Sequence, residues 1–266
     1  MKYVIIGASA AGLAAAQQIR VTDSDGEITV LTREAYLPYS RPSISYLLKG
    51  TVEEKKMFLK KPQYYSENNI NIVTSAEVTK IDREKKVVKA GRKEYPYDKL
   101  CIAAGSKPFV PPVENADGCK NVFTFLDLAS AKALKKAASK KTKAVVIGAG
   151  LIGMKAAEGL SKVCESVHVA ELSPRVLPSI LDEKSAVFVK KYLEEHGGLS
   201  FHLQDTVVKA NVKGGCVKSV LLKSGKTLDC DVLVIAVGVR LKLLLPKRRG
   251  LRLTGYNRRP ENYADK

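Results

Sequence analysis

The 266-residue sequence has no tryptophan, three histidines, five cysteines and no long apolar run. Each shortage removes a class of function. The cysteines (Cys101, Cys119, Cys164, Cys216, Cys230) are odd in number and far apart, so neither a disulfide framework nor a CxxC metal or redox motif is available. No apolar stretch approaches the ~18 residues that span a bilayer. The start, Met1-Lys2 and then a strand-like run into glycine, lacks the apolar region and cleavage site of a signal peptide, so the chain reads as cytoplasmic, with no membrane partner. Aromatics make up 6% of residues and do not interleave with basic side chains, which removes the stacking platforms of nucleic-acid binders. The three histidines suggest structural roles: His168 lies in a strand pattern, and His196 ends a helical pattern before Gly197-Gly198.

Positive charge is plentiful, at a formal +18. Residues 241–266 hold eight Lys or Arg and two Asp or Glu, and so contribute +6 of it. The remaining lysines are scattered along helical patterns such as Ala131 to Lys141, where they read as a solvated face. A nucleic-acid partner would rest on charge alone, and none is expected. The 45% hydrophobic content is that of well-formed cores.

The chain is organised around Ala144 to Glu158, AVVIGAGLIGMKAAE. An apolar strand runs into Gly148, Gly150 and Gly153, with Leu151 and Ile152 opening an Ala-rich helix. The first glycine makes the tight turn, the second lets backbone approach a pyrophosphate, and the third lets helix and strand pack closely. A second apolar run, Val167 to Ala170, ends at Glu171, eighteen residues after Gly153. A carboxylate there suits the ribose hydroxyls of NAD and repels the 2′-phosphate of NADP.

The N-terminus repeats this logic. Tyr3 to Ile6 reads as a strand, followed by Gly7-Ala8-Ser9-Ala10-Ala11-Gly12 and a helical run from Leu13 to Ile19. Ser9 stands where the second glycine usually sits, and Ala11 and Gly12 complete the candidate loop. After a second strand at Ile28 to Leu31, Glu34 is the candidate ribose contact, twenty-two residues beyond Gly12, although Thr32 stands nearer the strand end. Two dinucleotide folds in one chain predict an α/β protein with two Rossmann-like domains. Enzymes that oxidise NADH with a bound flavin need such a pair of sites.

Three further stretches carry a specific resemblance: Tyr36 to Tyr46 (YLPYSRPSISY), Tyr97 to Pro108 (YDKLCIAAGSKP) and Asp229 to Arg240 (DCDVLVIAVGVR). With GASAAG they make residues 1 to 240 resemble the FAD- and NAD-dependent pyridine nucleotide-disulphide oxidoreductase superfamily, in the branch holding rubredoxin reductases and the flavoprotein part of NADH-dependent nitrite reductases. The resemblance implies a glutathione-reductase-like fold, with an FAD domain at 1–110, incomplete as written, an NAD domain at 111–238, and FAD and NAD as cofactors. It implies that Arg41, followed by Pro42, contacts the flavin cofactor, as a guanidinium suits a pyrophosphate; the alternative is a surface arginine in a loop. Ala104, where the family commonly has Thr, and Gly105 mark the exit from the FAD fold, and Gly238 lies in the return motif. Glu158 matches the position that orients the nicotinamide amide, the alternative being a solvated helix glutamate. Disulfide reductases of the superfamily carry a CxxxxC pair beside the flavin, and some relatives a single cysteine there; this chain has no cysteine before Cys101. Direct electron transfer from reduced flavin to a small redox protein of rubredoxin type, or to a small-molecule acceptor, is therefore expected, with no metal site and no general base.

After Arg240 the family text stops, and 239–266 reads as an aberrant basic tail. Degenerate codons for Tyr256 to Lys266, read one base later, allow Ile-Thr-Val-Asp-Arg-Lys-Thr-Met-Gln-Thr-Asn, close to the family pattern. A frameshift near codon 241 is the expectation, and resequencing that locus tests it. The FAD domain would then be incomplete and the usual C-terminal dimerisation domain missing, so oligomerisation through that domain is not expected. The competing function is a non-catalytic NADH-binding remnant or sensor.

Overall fold

The computed structural model describes residues 1–241. Of the tail expected from 239 onward, Val239–Leu241 is a strand, and 242–266 lies outside the described residues, as does the frameshift expectation.

The first unit is built on four parallel strands, β1 (Lys2–Ile6), β2 (Glu27–Leu31), β3 (Ile70–Val73) and β7 (Lys99–Ile102), in the order β3-β2-β1-β7. Helix α1 (Ala10–Thr22) makes the crossover from β1 to β2. An antiparallel meander, β4 (Val78–Asp82), β5 (Val87–Ala90) and β6 (Lys93–Pro96), lies between β3 and β7 in sequence. Alternation along β1 accounts for both contacts: Ile5 joins the cluster with Leu13 and Ala16 of α1, whereas Val4 and Ile6 join Val88 and Ala90 of β5. A strand covered on both faces must be apolar throughout, which is why Tyr3 to Ile6 reads as a continuous run.

The second unit repeats the plan. Its five parallel strands are β9 (Val122–Thr124), β10 (Lys143–Ile147), β11 (Ser166–Glu171), β12 (Leu199–Leu203) and β16 (Val232–Ile235), ordered β12-β11-β10-β16-β9. The helices are α4 (Leu128–Ala137), α5 (Leu151–Ser161) and α6 (Glu183–Gly197), and a second meander comprises β13 (Val207–Lys213), β14 (Cys216–Leu222) and β15 (Thr227–Asp229). On β10, Ala144 and Val146 face the helices while Val145 and Ile147 face the meander. The predicted solvated face of α4 is present, with Leu128, Ala131 and Leu134 buried and Lys132, Lys135 and Lys136 turned outward. Strands β8 (Ser106–Pro108) and β17 (Val239–Leu241) pair antiparallel where the chain passes between the units.

The segment between β2 and β3 has no single period, and it folds as a 3-10 turn at Arg41–Ser43, helix α2 (Ile44–Lys49), a second turn at Glu54–Lys56 and helix α3 (Pro62–Glu67). Its apolar side chains join the core of the second unit. Tyr39, Ile44, Leu47, Leu48 and Met57 share one cluster with Leu128, Leu134, Val146 and Leu160. Helix α2 lies against α5 at Gly159, where a Cβ would come within 2.9 Å of Leu48 Cδ2. Burying a leucine such as Leu48, which is fully covered, stabilises by about 1.5–3 kcal/mol, so this segment ties the two units together.

Candidate functional site

In open parallel sheets, ligands sit beyond the carboxyl ends of the strands, where the strand order reverses. Here those places are β1/β7 in the first sheet and β10/β16 in the second. Both glycine loops lie there, and they share one geometry. Gly7 adopts φ 111° and donates its N–H to Leu31 O at 2.8 Å; Gly148 adopts φ 102° and donates to Ala170 O at 2.7 Å. A Cβ on Gly12 would fall 1.7 Å from Gly7 O, and one on Gly153 1.9 Å from Gly148 O, so the third glycine of each loop is fixed by contact with the first.

The two helices that follow these loops start without a side-chain cap and without acid in the first turn, at Ser9 for α1 and Gly150 for α5. Helices α4 and α6 instead carry Asp127 and Asp182 caps, which accept from Ser130 and Ser185 amides. Leaving the first amides of α1 and α5 uncapped, at the positive end of the helix dipole, suits a phosphate group. Nothing lies within 4 Å of a Cβ built on Gly150, so its backbone is open to close approach. These observations fit the phosphates of adenine dinucleotides at both loops.

The first site is a cleft of about 250 Å³ lined by Gly7, Ser9, Glu34, Arg41, Ala104 and Gly105, among others. Glu34 extends into it from the turn after β2. Its carboxylate is only 14% exposed, accepts the Tyr39 hydroxyl at 2.6 Å and pairs with the Arg41 guanidinium. Arg41 also donates to Ser9 Oγ at 2.9 Å and to Leu126 O at 3.0 Å. Burial, together with the Glu34 hydrogen bond, holds the Tyr39 phenol well above its ordinary range, so it stays protonated as a donor. Thr32, nearer the strand end, is buried and also lines the cleft. Pro42 sits at the start of the 3-10 turn, Ala11 is exposed on α1, and neither lines the cleft.

At the second site Glu171 ends β11 and accepts the Ala149 amide at 2.7 Å and the Ser173 amide at 2.8 Å. Its carboxylate is thereby held against the glycine loop. Leu151 is exposed at the helix start, and Ile152 packs toward the core. Gly238, at φ 124°, accepts the Phe109 amide at 2.9 Å and lies just beyond Ala236, whose carbonyl would be 2.6 Å from a Cβ on Gly148.

Glu158 lies between the units. It accepts Lys155 Nζ at 2.8 Å and Lys49 Nζ, on α2, at 3.5 Å, and these cations hold its carboxyl below the usual carboxylate range. Sequence reasoning missed Lys49, Tyr39 and Leu126. Tyr39 lay inside the quoted YLPYSRPSISY stretch, but Lys49 meets its partner 109 positions away, beyond any local pattern. His168 and His202 lie 3.2 Å apart on neighbouring strands, and His196 stacks on Tyr192. Among the described residues, no group of three or more His, Cys, Asp or Glu is arranged for a metal ion, and no helix is long and apolar enough to cross a membrane.

Comparison with known proteins agrees with this geometry. The NADH oxidase of Methanocaldococcus jannaschii is 35% identical over 265 residues, covering 95% of this chain and 58% of that protein. A rubredoxin-NAD(+) reductase of Pseudomonas putida is 30% identical over 256 residues, covering 96% of this chain and 66% of the relative. The structure of a NAD-dependent persulfide reductase from A. fulgidus superimposes with a TM-score of 0.81 at 34% identity, over 90% of this chain and 46% of that one. The chain thus spans roughly half to two thirds of the proteins it resembles. The family model for pyridine nucleotide-disulphide oxidoreductases matches residues 1–261, past the Arg240 limit read from motifs. Members of that family are NAD(P)H-dependent oxidoreductases that bind FAD. With two glycine-loop sites set in paired parallel sheets and a match along nearly its whole length, this chain belongs to the pyridine nucleotide-disulphide oxidoreductase family.

Proposed function

We propose that the chain binds FAD in the first cleft and NADH at the second loop, and that it passes electrons from NADH through FAD to an external acceptor without a redox-active disulfide. The observation that carries this reading is the pairing itself: two uncapped glycine-loop helices, each followed by a strand with a carboxylate at its end (Glu171) or in the turn just after it (Glu34), bridged by α2 and the Lys49–Glu158 contact. We assign 1–110 to the FAD domain and 111–238 to the NAD domain, with 36–59 seated in the core of the latter.

FAD, when bound, supplies a two-electron acceptor that can release electrons to a partner. The residues of the chain do the positioning. Glu34 would hold the adenosine ribose hydroxyls, Arg41 and the first amides of α1 the pyrophosphate, and Ala104 and Gly105 the floor of the cleft. Glu171 would hold the NADH ribose, and Gly148, Gly150 and Gly153 let its phosphates approach α5. Glu158, steadied by Lys49 and Lys155, is placed to orient the nicotinamide amide, and Gly238 closes the second site beside Gly148. Such alignment is where hydride transfer gains most, since it needs geometry more than an acid or base. The rubredoxin-NAD(+) reductase relative supports a small redox protein as acceptor.

The test is the ultraviolet-visible spectrum of the purified chain. Yellow protein whose flavin absorbance is bleached by NADH supports the reading. Colourless protein that still binds NADH supports the alternative, an NADH-binding remnant.

A further inference from the structure

Tyr39 is a buried residue whose hydroxyl faces two ways. It donates to Glu34 Oε2 at 2.6 Å, in the first cleft, and accepts the Leu128 N–H at 2.8 Å, in the second unit. Leu128 is the first residue of α4, and its amide is one of the four that a helix start leaves without an internal partner. The Asp127 cap serves Ser130 instead, so the Leu128 amide depends on the phenol. Leu126, two residues earlier, lines the first cleft and accepts Arg41. The turn 126–128 therefore reaches from the second unit to both groups that flank the Glu34 carboxylate.

We propose that Tyr39 is a positioning residue for the first cleft, holding Glu34 in place by a hydrogen bond that is itself anchored on the N-terminus of α4. Dinucleotide affinity in the first unit then depends on how the second unit is seated. This rests on the reading that the cleft takes an adenine dinucleotide. The chemistry is simple. A carboxylate offers more lone pairs than a ribose edge can use, and it holds the diol well only if its remaining sites are fixed. Tyr39 fixes one oxygen and Arg41 the other. The phenol ring is itself held by the edge of Tyr36, with centroids 6.5 Å apart, and by the core around Leu128, so the hydroxyl has little freedom.

The experiment uses the 266-residue chain and measures dissociation constants for FAD and, with the second site saturated by NAD(+), for ADP-ribose. Tyr39→Phe keeps the ring and removes the hydroxyl, and both ligands should weaken about tenfold, the scale of one hydrogen bond to a charged group. Glu34→Gln should weaken them as well, and Tyr39→Phe should add less than about twofold in that background, because its action runs through Glu34. A purely structural role would instead lower the melting temperature equally in both backgrounds and leave the affinities additive, which overturns the proposal. Ser130→Ala lies outside the cleft and removes the hydroxyl that accepts the Leu126 and Asp127 amides, loosening the same turn. It should weaken FAD binding in the parent chain and not in the Tyr39→Phe chain. Should Tyr39→Phe fail to fold, unchanged FAD affinity in Ser130→Ala overturns the proposal by itself. Failure of the unaltered chain to bind either ligand refutes the reading of the cleft, an outcome distinct from normal binding with additive variants.

Discussion

Glutamine in place of Glu171 keeps the shape of the side chain and deletes its charge, which isolates the electrostatic part of a preference for NADH over NADPH. Two amides pin the carboxylate, Ala149 at 2.7 Å and Ser173 at 2.8 Å, so it cannot swing away from an incoming phosphate. A 2′-phosphate seated where the ribose hydroxyls would bind brings like charges to about 5 Å, which costs about 3 kcal/mol at an effective dielectric of 20. Salt trims this to about 2–3 kcal/mol, a factor of about 30–150 in relative affinity. Glutamine can accept only one of the two amides with its single carbonyl oxygen, and the lost hydrogen bond costs about 1–3 kcal/mol. That loss falls on both nucleotides alike and leaves their ratio untouched. Titration of nucleotide fluorescence with the parent chain and with Glu171→Gln gives four dissociation constants. The NADPH-to-NADH ratio should fall by one and a half to two orders of magnitude, with NADH itself weakened severalfold. A ratio that moves by less than about threefold would refute the placement of the adenosine ribose at Glu171.

Three other perturbations have defined outcomes. Leu48→Ala empties the contact between α2 and α5 and should lower unfolding free energy by about 2–5 kcal/mol, read as an earlier denaturant midpoint; a loss under 1 kcal/mol would mean that α2 is not part of the core. Gly153→Ala forces a Cβ to 1.9 Å from Gly148 O, so NADH binding should be lost while FAD binding persists, and Gly12→Ala should do the reverse; loss of both ligands in either variant would contradict two separable sites. Burial holds His168 and His202 below the ordinary 6.5, with Lys226 pushing the same way and Asp205 opposing it at His202. The unfolded chain therefore takes up these protons first, and the stabilisation they give is present above pH 6.5 and lost as pH falls below it. Denaturant midpoints should decline there in the parent chain and decline less in His202→Asn, while carboxylates such as Glu158, already held low, contribute only at more acid pH; equal declines in the two proteins would count against the pair.

Local chemistry made the two glycine loops readable. Gly148-x-Gly150 and Gly7 to Gly12 each follow an apolar strand that is buried on both faces, and that pattern survives any tertiary context. Glu171 stood out because it ends the strand after the glycine helix, whereas Glu34 lies three residues past the end of β2 and reaches the cleft from a turn. The 36–59 segment was opaque because its helices are too short to display a period, and because its partners, Leu128, Leu160 and Glu158, lie about a hundred positions later. Tyr39 illustrates the limit well: the stretch holding it was singled out for Arg41, yet its own bonds join Glu34, five positions away, to Leu128, eighty-nine positions away. The meanders were likewise silent, since β4–β6 and β13–β15 alternate buried and exposed residues weakly and break register at bulges.

The seat of Leu48 against Gly159 bears on how this molecule can be cut. A fragment that begins after β8 keeps α4, α5 and the five-stranded sheet, but it leaves behind the side chains that fill the groove beside Gly159, so it would carry an open apolar seam into solution. A matching fragment that ends before β9 would carry Leu47, Leu48 and Met57 with nowhere to bury them. The two pieces, expressed separately and mixed, should therefore find each other through this seam, which makes the chain a natural candidate for a split reporter whose halves reassemble by returning one short helix to its socket.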